Sequence, residues 1–152
     1  MTEPYFPSRI KHWINGIGVG VWMSGAAWLW VHYLAKPHEA FGMPGNSAET
    51  GWLKVHGAFA FLAIWGGGFL WGFHINKAWP RHQQRWSGGS LFVVLLVLIL
   101  SGYLLYYVAD EGSRQTLSLV HWIVGLGLPL AYLTHRLTRT VAGATTDSSQ
   151  SM

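Results

Sequence analysis

The chain has 152 residues and carries a formal charge of +4, with 51% hydrophobic and only 11% charged residues, against about 25% charged for a soluble domain. It has no cysteine, which excludes disulfides, iron–sulfur clusters, thiolate metal sites and covalent C-x-x-C-H haem attachment. The basic residues fall in the gaps between apolar runs, so the positive charge is not a nucleic-acid signal, and ten tryptophans are the kind of load that gathers at membrane interfaces.

Four apolar stretches are long enough to cross the hydrocarbon core as helices, which takes about 20 residues each. The first runs from about Trp13 to Leu34 and contains no Asp, Glu, Lys or Arg. It is too long for a cleavable signal peptide and has no small-residue cleavage site after it. The second runs from about Val55 to Ile75, the third from Leu91 to Val108 and the fourth from Leu117 to His135. Length and the exclusion of open strands from lipid make these helices. The expected fold is all-α, an integral membrane four-helix bundle over residues 1–144, with 145–152 a Ser/Thr-rich disordered tail.

The connections set an orientation. Arg9, Lys11, Lys77, Arg81, Arg85, Arg136 and Arg139 would share one side, and only Lys36, Lys54 and Arg114 the other. Basic residues mark the cytoplasmic side, so both termini are expected in the cytoplasm, as in a bacterial inner-membrane protein.

Eight histidines are the chemical feature. Ionisable residues within a span are costly and point to function, and neutral imidazole is an axial haem ligand. His121 and His135 are fourteen residues apart, so they share nearly one face of the fourth helix, separated by roughly 21 Å. One helix thereby offers two ligands near opposite edges of the membrane, which suits two stacked haems. His56 enters the second span at the depth of His121. For His135 two partners compete, His12 and His74. His56 and His74 are roughly 27 Å apart along one helix, longer than the His121–His135 separation. His12, on a separate helix, avoids that conflict, so spacing leans toward His12 and leaves His74 open.

Arg9-x-x-His12-Trp13 followed by Ser24-Gly25, His56 opening the second helix, Leu100-Ser101-Gly102 in the third, and His121-x-x-x-Gly125 with His135 in the fourth together resemble the cytochrome b561 superfamily. The likeness, over about residues 6 to 137, is to the di-haem cytochrome b subunits of respiratory formate dehydrogenases and nickel–iron hydrogenases. It implies two non-covalent b haems with bis-histidine ligation, one between His56 and His121 and one between His12 and His135, with His74 a non-ligand. It also implies electron relay between a periplasmic iron–sulfur or cytochrome partner and quinone. Gln84 and Arg85 would lie at the quinone-binding position. Arg9 and Arg85 suit haem propionates, because guanidinium pairs with carboxylates, and Gly125, one turn from His121, is a candidate haem contact. His32, His38 and His82 read as surface histidines, and Trp22, Trp28 and Trp122 with most other tryptophans as interface belt. Two other functions compete: a stand-alone quinone or superoxide oxidoreductase, and a haem-free membrane anchor.

Overall fold

The structure, a computed structural model, describes residues 8–34, 47–72 and 85–150. These residues form four helices and no strand: α1 (Ser8–Tyr33), α2 (Ser47–Leu70), α3 (Arg85–Tyr107) and α4 (Glu111–Gln150). Every one contains a stretch long and apolar enough to cross a membrane. The chain is therefore an all-α, multi-pass membrane protein. It divides into two compact units, Met1–Gly72 and Phe73–Met152, and each contains one antiparallel helix pair: α1 against α2, and α3 against α4.

The surface is what lipid selects. No hydrophobic side chain among the described residues is fully buried, whereas Trp86 is 93% exposed, Tyr106 75% and Phe61 73%. In water such a surface would aggregate. In lipid it costs nothing, and the polar groups must instead be sheltered. The two buried residues are accordingly both serines, Ser24 and Ser101.

Helices begin earlier than the apolar runs. α3 starts at Arg85 rather than Leu91, taking Trp86-Ser87-Gly88-Gly89-Ser90 into the helix. Glycine disfavours helix in water, but bilayer depth demands that each backbone N–H and C=O find an internal partner. α2 starts at Ser47, with Glu49 in its first turn to offset the positive end of the helix dipole. α4 starts at Glu111, capped by Asp110, whose Oδ2 accepts from the Ser113 N–H at 2.8 Å, while its carbonyl accepts from Arg114 N–H at 2.9 Å. That cap satisfies donors the first turn would otherwise leave open. α4 then passes Pro129 and continues to Gln150, over residues 145–150, which composition assigned to a disordered tail. Extending a formed helix adds one hydrogen bond per residue fixed, and no proline or glycine interrupts that stretch.

Within the first unit the pairing is dense at glycine. Gly20 lies against the ring of Phe59, so closely that a Cβ there would overlap the ring. At the end near the 35–46 connection, His32 Nδ1 pairs with Glu49 Oε1, and the His32 ring stacks on Trp28 with centroids 4.7 Å apart.

Candidate functional site

Three intramembrane histidines are each received by a serine–glycine pair on the neighbouring helix. In the first unit, His56 of α2 places Nδ1 3.2 Å from Ser24 Oγ of α1 and 3.0 Å from the Val21 carbonyl oxygen. In the second, His121 of α4 places Nδ1 2.8 Å from Ser101 Oγ of α3, and His135 places Nδ1 3.1 Å from Ser87 Oγ. The glycine after each serine makes room for the ring. A Cβ at Gly25 would stand 3.0 Å from His56 Cε1, one at Gly102 3.2 Å from His121 Cε1, and one at Gly88 3.5 Å from His135 Cε1.

The repetition has a simple geometric origin. Ser87 and Ser101 are fourteen residues apart on α3, as His121 and His135 are on α4. Two straight antiparallel helices keep one register, so equal spacing brings both couples together at once. That spacing also puts each pair of side chains on nearly one face of its helix.

Hydrogen counting fixes the chemical form of one of these rings and links the form of a second to its serine. Ser101 Oγ donates its single proton to the Val97 carbonyl at 2.6 Å, as intrahelical serines do to the preceding turn. With its proton there it can only accept from His121, which is the contact of an Nδ1–H tautomer. Ser24 Oγ likewise donates to the Gly20 carbonyl at 2.7 Å, and the Val21 carbonyl, an acceptor only, requires Nδ1–H on His56. In a neutral imidazole one nitrogen donates and the other holds the lone pair. His56 therefore holds its lone pair on Nε2, and His121 does so in the tautomer that donates to Ser101. An acceptor on one ring nitrogen that leaves the other to bind metal is the arrangement metal-bound histidines use. The residues thus fit the iron of a haem, and the serine and glycine leave the imidazole, rather than bulk, at the helix surface.

Compared with known protein families, curated proteins and solved structures, the chain matches none.

The remaining candidates are placed as follows. His12 is exposed near the start of α1, as is Arg9. Arg85 is the first residue of α3, its side chain outside the described set. Gln84 and His74 lie outside the described residues, as do His38 and His82. Gly125 meets Leu98: a Cβ there would stand 3.6 Å from Leu98 Cδ2. His12 and His56 belong to the first unit, His121 and His135 to the second. Among the described residues no three His, Asp or Glu side chains cluster as a metal-ion cage.

Some features escaped the sequence. Ser87 precedes the apolar run, so hydropathy does not mark it, although its fourteen-residue spacing from Ser101 repeats that of the histidines. His32, read as a surface histidine, is paired with Glu49. Trp22 and Trp28, read as interface belt, are half-buried, with indole N–H groups that have no partner among the described residues.

Proposed function

We propose that the chain is a membrane-anchored di-haem b cytochrome subunit that relays electrons across the bacterial inner membrane, between a periplasmic redox partner and the quinone pool. His56 and His121 would hold one haem, and His12 and His135 the other. The observation that carries this reading is the commitment of the His56 and His121 Nδ1 protons to acceptors, which leaves a ligand lone pair on Nε2 of imidazoles within the membrane. Bound there, haem iron supplies a one-electron ferric–ferrous couple.

Register within the first unit supports His12 as the fourth ligand. Twelve residues along each helix from the Ser24–His56 contact, His12 on α1 comes level with Gly68 on α2. That places the His56 and His12 levels about 18 Å apart. His121 and His135 are about 21 Å apart on the same measure, so the two units offer ligands at closely similar spacings.

The chain's own residues would do three things in this role. The histidines ligate and orient iron. The serines hold the rings. The apolar helices exclude water, which keeps the electron path in a low-dielectric setting. Arg9 and Arg85 suit propionates, and Gln84 with Arg85 suits quinone at the cytoplasmic face. Adding a quinol to the purified protein under anaerobic conditions tests the role: reduction of its b-type α band supports it, and a protein whose haem is reduced by dithionite alone contradicts the quinone-linked part.

A further inference from the structure

The His32–Glu49 pair has no part in the electron relay, and what it implies holds whether or not haem is bound. It joins α1 to α2 inside the first unit, with His32 Nδ1 2.5 Å from Glu49 Oε1. His32 is the last residue but one of the first candidate span, and Glu49 is the second residue of the next. The pair therefore sits at the membrane edge, with its side chains 31% and 33% exposed. Glu49 is in the first turn of α2, where the helix dipole favours negative charge. An ionised carboxylate only accepts, so the neutral His32 ring donates through Nδ1 and keeps its lone pair on Nε2. Glu49 Oε2 and His32 Nε2 remain as two acceptors with no protein donor among the described residues. Lys54 is five positions along α2 from Glu49, off the face that residues three and four apart share. The pair is thus net negative and short of donors.

We propose that His32 and Glu49 form a headgroup site for a membrane lipid whose head ends in a primary ammonium. Such a group brings a positive charge and three N–H donors with no acceptor, which complements a negative pair with two unused acceptors. An anionic head would meet Glu49 with like charge. The neighbouring rings select in the same direction, because aromatic faces attract cations. The His32 ring stacks on Trp28 with centroids 4.7 Å apart and planes 13° apart, and Tyr33, 61% exposed, stands edge-on to His32 at 4.7 Å. The adjoining surface suits acyl chains. Trp52 and Leu53 follow Glu49 by three and four positions, on its side of α2, and are 40% and 43% exposed. In this site Glu49 carries the charge, and His32 holds the carboxylate in place through Nδ1–H.

The test uses the full-length protein in nanodiscs of phosphatidylglycerol mixed in equal parts with one second lipid of the same acyl chains. That lipid is in turn phosphatidylethanolamine, its N-monomethyl and N,N-dimethyl derivatives, and phosphatidylcholine. Lipids kept after mild release are counted by native mass spectrometry. Wild type is expected to keep the ethanolamine lipid over the glycerol lipid by roughly tenfold, on the order of one charge-assisted hydrogen bond. The preference should fall stepwise as methyl groups replace N–H donors, since the choline head keeps the charge and loses every donor. Glu49→Gln should keep the two lipids in the proportion supplied. The headgroup series is read on wild type, so it decides the question even if Glu49→Gln does not assemble. Wild type keeping ethanolamine and choline lipids equally, or preferring the glycerol lipid, would overturn the proposal. So would a Glu49→Gln variant with the wild-type preference.

Discussion

Ser101 Oγ stands 2.8 Å from His121 Nδ1 while donating to the Val97 carbonyl at 2.6 Å. A hydroxyl has one proton, so while that proton points to Val97 the oxygen can only accept from His121. The same relation recurs at Ser24 and His56. Steric room and proton placement are thus supplied together by a two-residue unit on one helix for a ring on the next.

The glycines should therefore rank by clearance. Alanine at Gly25 would place Cβ 3.0 Å from His56 Cε1, at Gly102 3.2 Å from His121 Cε1, and at Gly88 3.5 Å from His135 Cε1. The last is ordinary van der Waals contact; the first two require the ring to move. On the proposed haem reading, low-spin signals in electron paramagnetic resonance should change most in Gly25→Ala, less in Gly102→Ala and least in Gly88→Ala. A Gly88→Ala spectrum more altered than Gly25→Ala would contradict the ranking.

Gly20 tests packing within the first unit. A methyl there overlaps the Phe59 ring, and overpacking a close contact costs about 1–3 kcal/mol. Gly20→Ala should unfold at lower detergent-denaturant concentration than wild type, and Phe59→Leu in the same chain should recover much of the loss. Without that recovery the clash is not the cause.

At the α3–α4 turn, hydrogen bonds from the Ser113 side chain and backbone N–H hold the Asp110 carboxyl below the usual carboxylate range. A carboxyl lowered on folding contributes stability that is present above its unfolded pKa and fades as pH falls through the lower folded value. Asp110 is fully exposed, so solvent screens the effect and its size is small. Melting temperature measured from neutral to acid pH should fall slightly less steeply in Asp110→Asn than in wild type. An unchanged slope would show that the cap carries no charge-dependent stability.

Much of the architecture was legible in the sequence because lipid leaves few choices. Four apolar runs of spanning length can only be helices, and the structure has four. The candidate ligands stood out for a related reason, since an imidazole in a span is costly. The boundaries were less legible: the glycines and serines of residues 86–90 look like a connection by propensity, yet backbone satisfaction in lipid draws them into α3. That misplacement hid Ser87. The serines at 24 and 101 were visible as parts of a resemblance, but their role depends on a register between helices that no single helix reveals.

On the proposed di-haem reading, His12 and His74 compete as a ligand of the second haem. His12→Ala should retain one haem, with the loss seen as half the α-band amplitude, and His74→Ala should retain both. Two haems surviving in His12→Ala would move the ligand assignment to His74.

The central claim is that this chain holds two b haems, and the most direct measurement is haem stoichiometry by pyridine haemochromogen on the purified full-length protein. Two non-covalent haems b per chain, both reducible, is the result expected from four histidine ligands. A colourless protein, folded and in the membrane, would contradict it and leave the haem-free anchor as the function.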